Sequence, residues 1–265
     1  MRYEYDLYSG NVVRLLYNEG REDRFFYRYE YDEDNRLRTA YSSRDGYIWE
    51  SDARYSYYAH GPLSRREVGE DRVQGTDYVY TIHGWLKALN YPDLDPAKDP
   101  SGDGGSGVHA TVARDVFGML LGYYKGDFNK SASVFHSTAS DKLWDNSRPQ
   151  GGSLYNGNIA NWVTKTGSTA GGTQYANQQA GYVYRYDRLN RIKQAAFRYE
   201  SSGWQTPAGQ QYNTGYSYDP NGNIKTLYRY GDNGLMDQFT YSYYGSGSTA
   251  TNRLKQVTDP VASGL

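Results

Sequence analysis

The chain has 265 residues, 29 basic and 30 acidic, with a formal net charge of -1 and a pI near 6.4. That balance supplies no field to draw it onto nucleic acid or anionic lipid, so neither nucleic-acid binding nor membrane insertion is expected. Zero cysteines exclude a disulfide framework, a thiolate metal site and a cysteine nucleophile, while 31 Tyr and 30 Gly favour strands and turns over disorder, despite a mean hydropathy of -0.89.

The N-terminus, Met1-Arg2-Tyr3-Glu4-Tyr5-Asp6, carries no apolar leader, so no signal peptide is expected. It opens a phrase that recurs: Tyr-x-Tyr-Asp, a short polar turn, then Asn, a variable residue, an apolar residue and a Lys or Arg. Tyr3-Glu4-Tyr5-Asp6 leads to Gly10-Asn11-Val12, and Tyr29-Glu30-Tyr31-Asp32 leads to Asn35-Arg36-Leu37-Arg38. Copies without the aspartate follow at Tyr55-Ser56-Tyr57 and Tyr78-Val79-Tyr80. After a long interruption come Tyr184-Arg185-Tyr186-Asp187 with Asn190-Arg191-Ile192-Lys193, then Tyr216-Ser217-Tyr218-Asp219 with Asn221-Gly222-Asn223-Ile224-Lys225. The last, Tyr241-Ser242-Tyr243, reaches Asn252-Arg253-Leu254-Lys255. The second tyrosines, at 5, 31, 57, 80, 186, 218 and 243, define a period near 26 with one large insertion.

Each copy reads as a β-hairpin. Tyr216 and Tyr218 share a strand face, Asp219-Pro220-Asn221-Gly222 is strong turn chemistry, and Ile224, Thr226 and Tyr228 resume the alternation. A lone hairpin is barely stable in water, so neighbouring copies must stack edge to edge. The recurring rings could form a stacking platform for sugars or bases. The fixed period instead favours the spine of a repetitive sheet, with each hydroxyl finding a partner on a neighbouring copy. The repeat-defining residues are Tyr3, Tyr5, Asp6, Tyr29, Tyr31, Asp32, Tyr184, Tyr186, Asp187, Tyr216, Tyr218, Asp219, Gly222 and Asn223.

Residues 91–180 change character, separating hairpins over 1–90 from hairpins over 181–265. Val112, Val116, Leu120 and Tyr124 fit a short amphipathic helix, and strands broken at Gly118 fit about as well. Loops with two or three added strands are expected there. The longest uncharged apolar run, Val116 to Tyr124, is about nine residues against the roughly 20 of a spanning helix. Asp93, Asp95, Asp99 and Asp103 invite a calcium reading, but their spacing is not that of an EF-hand loop, and Pro92, Pro96 and Pro100 point to a solvated loop. His60, His83, His109 and His136 have no metal-ligand spacing. No metal, cofactor or catalytic residue is therefore assigned. The nucleophile-elbow, phosphate-loop and zinc-protease motifs are absent. Asp6, Asp32, Asp187 and Asp219 recur equivalently, which suits turn-capping rather than catalysis. Arg14, Arg38, Lys193, Lys225 and Lys255 read as charged strand faces that discourage edge pairing.

The copies at 1–90 and 181–258 resemble the YD repeats of the RHS-repeat protein family, whose long eukaryotic relatives are the teneurins. The stretches Ala113–Gly118, Leu121–Asp127 and Leu154–Ile159 resemble a segment that some bacterial members carry between copies. The resemblance implies an all-β ribbon of hairpins forming part of a spiralling, shell-like sheet. In bacterial members such a shell commonly encloses a C-terminal toxin domain; in teneurins it supports adhesion. It further implies a secreted or cell-surface bacterial protein whose partners are the rest of its own polypeptide, with secretion machinery or surface glycans as further candidates. The family's shell-closing Arg-Tyr-Tyr-Asp-Pro region is absent, so a piece of a longer protein is expected. A non-enzymatic structural segment is the leading expectation. The alternative is an adhesin or glycan-binding ribbon using exposed tyrosines and Trp49, Trp85, Trp144, Trp162 and Trp204.

Overall fold

The computed structural model describes residues 1–105, 107–128, 152–167, 178–245 and 247–261. His136, Trp144 and most of the polar stretch after Asn129 lie outside them. Among the described residues the chain is all-β, with seventeen strands, no α-helix and two three-residue 3-10 turns, Ala208–Gln210 and Gly247–Thr249. No helix among them is long and apolar enough to cross a membrane.

The chain divides into two compact units. The first, Met1–Tyr80 with Ala88–Gly118, contains β1 (Arg2–Tyr5), β2 (Val12–Tyr17), β3 (Phe25–Tyr31), β4 (Leu37–Ser43), β5 (Glu50–Tyr57), β6 (Leu63–Val68) and β7 (Gln74–Tyr80). Each pairs antiparallel with the next. β8 (Leu86–Leu89) follows β7 and pairs with it, and β9 (Phe117–Gly122) comes from the interruption. The second unit contains β10 (Asn161–Thr166), β11 (Ala180–Tyr186), β12 (Ile192–Glu200), β13 (Trp204–Gln205), β14 (Thr214–Tyr218), β15 (Ile224–Gly231), β16 (Gly234–Tyr243) and β17 (Leu254–Thr258). This run is again antiparallel, with two-residue β13 appended to β12, and β9 pairs with β10.

The register has a period of its own. In six hairpins the pairing slips by one residue at the second tyrosine: Tyr5, Tyr31, Tyr57, Tyr186, Tyr218 and Tyr243. Tyr218 opposes Ile224 while Ser217 opposes Thr226, so Lys225 is the extra residue of a β-bulge. Arg38, Lys193 and Lys255 occupy the same position. These residues are exposed because the bulge leaves them without a cross-strand partner, not because they guard a sheet edge. Arg14 differs, standing in register opposite Glu4 and Arg28.

The two faces of β5–β7 are chemically distinct. Tyr55, Tyr57, Tyr78 and Tyr80 share one face with Arg66 and Val68, whereas Arg65, Glu67, Gly75, Asp77 and Val79 lie on the other and are buried. The 3.6-residue spacing of Val112, Val116, Leu120 and Tyr124 does not make a helix. Leu120 is buried in β9 and Val112 in a turn, while Val116 is 57% exposed. Close approach of two chain segments decides the matter: a Cβ on Gly118 would lie 2.3 Å from the Tyr91 carbonyl oxygen. Glycine inside a strand permits that contact, and the strand displaces the helix.

Candidate functional site

The repeated aspartates hold the turns. Asp32 Oδ1 accepts the N–H groups of Asp34 and Arg36 at 3.0 and 2.8 Å, and its Oδ2 accepts Arg36 Nε at 2.8 Å. Asp187 repeats this with Leu189 and Arg191, and Asp219 Oδ1 and Oδ2 accept the N–H and Nδ2 of Asn223 at 2.9 and 2.8 Å. Asp6 Oδ1 accepts the N–H groups of Tyr8 and Ser9. The turn closes on a residue in the left-handed region, Gly10, Asn35, Asn190 or Gly222 at φ 73, 60, 61 or 93°, where Gly and Asn are the tolerant choices. All four carboxyls are held below the usual range. For Asp219 the Asn223 side chain contributes most, and for Asp6 the Ser9 N–H. For Asp32 and Asp187 burial pushes upward and is outweighed by the N–H and guanidinium of Arg36 and Arg191.

The second tyrosines join each hairpin to the one before. The hydroxyls of Tyr31, Tyr57, Tyr186, Tyr218 and Tyr243 donate to the carbonyls of Val12, Leu37, Ile159, Ile192 and Ile224 at 2.8, 2.8, 2.9, 2.7 and 2.9 Å. Val12, Leu37, Ile192 and Ile224 each start the preceding return strand, and Ile159 lies two residues ahead of β10. Turn arginines add to the link: Arg36 lies 4.6 Å over the Tyr57 ring and Arg191 4.5 Å over that of Tyr218. Tyr29, Tyr184 and Tyr216 are half-buried on the same strands, whereas Tyr3 and Tyr5 are exposed. Burial raises the Tyr31, Tyr57, Tyr186 and Tyr218 hydroxyls, which keeps them protonated as donors.

The ladder also exposes a repeat unrecognised in the sequence. Tyr123 donates to the Leu86 carbonyl at 2.7 Å, and the Ile159 carbonyl receives Tyr186. β9 and β10 therefore pair like the two strands of one copy. The available signal was Asn156-Gly157-Asn158-Ile159, which repeats Asn221-Gly222-Asn223-Ile224 residue for residue.

A different chemistry gathers on the opposite face of β6 and β7. Arg65 donates from Nε to Glu67 at 3.0 Å, from Nη1 to Asp77 at 2.9 Å and from Nη2 to Asp103 at 2.6 Å. Asp77 Oδ1 accepts Ser101 Oγ at 2.6 Å, and Asp99 Oδ2 accepts the N–H groups of Ser101, Gly102 and Asp103 at 3.1, 2.6 and 3.0 Å. Asp115 accepts Gln74 Nε2 at 3.1 Å. Glu67 also meets His109 Nδ1 at 2.9 Å and Arg72 at 3.6 Å, beside a surface depression of about 560 Å³. Gly75 makes room: a Cβ there would lie 2.1 Å from Asp103 Oδ2 and 2.3 Å from Arg65 Nη2.

This network inverts the electrostatics of the turns. Burial pushes Asp77 up against the pull of Arg65, and pushes Asp103 to about 6. It drives Asp115 to about 9, reinforced by Asp99. Arg65 stays charged, since Asp77 and Asp103 outweigh its desolvation. Part of the 93–103 segment is thus a buried wall rather than a solvated loop. Asp99 and Asp103 turn inward to meet Asp77, while Asp93 and Asp95 instead hold Lys98 at 2.9 and 3.4 Å. Asp77 carries no signal of its own in the sequence, because its partners Arg65, Asn90 and Ser101 arrive from three separate segments.

Among the described residues the tryptophans do not supply exposed rings. Trp49, Trp85, Trp162 and Trp204 are each half-buried. Trp85 packs 4.9 Å from Tyr123, Trp162 stacks 5.9 Å from Tyr182, and Trp49 Nε1 donates to the Gly46 carbonyl at 3.1 Å.

No protein-family model matches the sequence, and no curated protein matches it. Among solved structures, the chain is similar to a crystal structure of TcdB2-TccC3-TEV at 11% identity and a TM-score of 0.41, over 98% of this chain and 11% of that one. It is similar to TcdB2-TccC3-Cdc42 at 12% identity and a TM-score of 0.34, over 89% of this chain and 13% of that one. The Photorhabdus luminescens Tc holotoxin pore, with the TccC3-D651A mutation, matches at 11% identity and a TM-score of 0.26, over 95% of this chain and 15% of that one. The chain thus spans 11% to 15% of the length of these structures.

Proposed function

We propose that this chain is a YD-repeat structural segment, non-enzymatic in itself, that helps a longer secreted protein of the RHS-repeat kind enclose or present another domain. The observation that carries the reading is the tyrosine ladder, hydroxyl-to-carbonyl bonds at equivalent positions of five hairpins. Such a ladder couples neighbours and can be extended indefinitely by adding hairpins, the property a wall requires and a catalytic site does not. The aspartates most prominent in the sequence are occupied in turns, and the buried carboxylates opposite them are bonded to Arg65 and to nearby N–H groups. Electron microscopy of the longer natural protein tests the proposal: a hollow β-walled particle is expected, and a solid sandwich would refute it.

One observation favours a second reading as a glycan-binding ribbon. Tyr124 and Tyr155 stack at 4.7 Å, next to His83 and Trp85, and Tyr155 is 72% exposed. Exposed stacked rings suit the apolar face of a sugar. Binding on a glycan array that Tyr155→Ala abolishes would support it, and silence of the array would remove it.

A further inference from the structure

We propose that Asp77, Asp99 and Asp103 form a calcium-binding site on the loop-covered face of β6 and β7. One carboxylate oxygen from each lies within 4.8 Å of the others. That limit is the span of two oxygens sharing one ion at calcium–oxygen lengths of about 2.4 Å. The three side chains come from separate positions: Asp77 from β7, Asp99 and Asp103 from the segment that crosses it. All three residues are buried, at 3%, 3% and 2% exposure.

A second observation points to a ligand. Asp103 Oδ2 is buried without a hydrogen-bond partner, although Oδ1 of the same carboxylate takes Arg65, whereas Asp99 Oδ1 has the Asp115 carboxyl beside it. A buried carboxylate oxygen with no donor is costly, and native structures rarely leave one so. Arg65 does not reach it, since Nε, Nη1 and Nη2 are committed to Glu67, Asp77 Oδ2 and Asp103 Oδ1. The charge count agrees. Glu67, Asp77, Asp99 and Asp103 are buried, Asp115 is half-buried, and Arg65 is the buried cation bonded among them. The excess is neutralised either by protons or by a divalent ion. Hard carboxylate oxygens without sulfur or imidazole in the set select calcium over transition metals.

The nearby guanidinium weakens the site. Binding is therefore expected in the range of extracellular calcium modules, about 10⁻⁴ to 10⁻³ M. Because ligands must be ionised, uptake of calcium releases protons and weakens as the solution is acidified.

The test is calorimetric titration of the chelator-treated full chain with calcium chloride, at pH 8 in two buffers of different ionisation enthalpy and again at pH 5, alongside thermal unfolding. The expected result is saturable binding at pH 8 with a buffer-dependent heat, a midpoint that rises with calcium, and at least tenfold weaker binding at pH 5. Asp99→Asn should abolish the heat, and Asp95→Asn, at a carboxylate that meets Lys98 and the Ala97 N–H and none of the three ligands, should leave it unchanged. No binding by the parent chain up to about 10 mM calcium, ten times the weak end of that range, overturns the proposal. So does an equal midpoint rise in potassium chloride of matched ionic strength, or equal loss of binding in Asp95→Asn. Should Asp99→Asn fail to fold, the parent chain's pH and buffer dependence still decides.

Discussion

Two sets of aspartates in this chain meet opposite fates. Those at 6, 32, 187 and 219 recur with the tyrosine beat, sit at turns, accept N–H and side-chain donors and ionise readily. Asp77, Asp103 and Asp115 lie outside the beat, gather beneath a covering segment and resist ionisation. The residue type is the same; what differs is how many donors meet each carboxylate and how much water it keeps. Repetition thus marks scaffold, and a carboxylate out of register marks the place where chemistry unlike the scaffold's accumulates.

The strongest way to break this contrast is at Arg65. Arg65→Met leaves Glu67, Asp77 and Asp103 buried without their shared cation, and a loss of about 3–5 kcal/mol is expected in urea unfolding. Equal stability of the variant would show the network to be solvated. Gly75→Ala pushes a methyl into Asp103 and Arg65, and should cost about 1–3 kcal/mol by the same measurement, as overpacking does.

A change of opposite sign is expected at Asp115. Its folded pKa is raised, so between the unfolded value of 3.8 and about 9 the native state holds a proton that the unfolded state has lost. Stability therefore falls as pH rises through that window. Asp115→Asn keeps an acceptor for Gln74 and removes the titration. It should be more stable than the parent by about 1–2 kcal/mol at pH 8 and indistinguishable at pH 4. Thermal unfolding across pH checks this, and a pH-independent difference would contradict it. At the turns the sign reverses. The lowered pKa of Asp219 adds stability above its unfolded pKa that is lost as acid titrates the folded group. Asp219→Ala should lower the urea unfolding midpoint at pH 7 and change it little at pH 2.

Much of the scaffold was legible because its determinants are local. Tyr216, Tyr218, Asp219 and Gly222 act within a few residues of each other, so their spacing announces the hairpin. The bulge was not legible: Lys225 reads as an ordinary strand charge until pairing shows Ile224 opposite Tyr218. Nor was the β9–β10 pairing, since Tyr123 and Ile159 are far apart in sequence and the apolar spacing there imitates a helix. The Arg65 network was least legible. Arg65, Asp77 and Asp103 are distant in sequence, and only β6–β7 pairing and the crossing segment bring them together.

The tyrosine ladder is the claim on which the scaffold reading stands, and parallel Tyr→Phe substitutions at 31, 57, 186, 218 and 243 test it most directly. Each removes one hydroxyl-to-carbonyl bond while keeping the ring, so similar losses of about 0.5–1.5 kcal/mol are expected in urea unfolding, without change in strand content. Five substitutions that leave the unfolding midpoint where it was would show that the hydroxyls do not join one hairpin to the next.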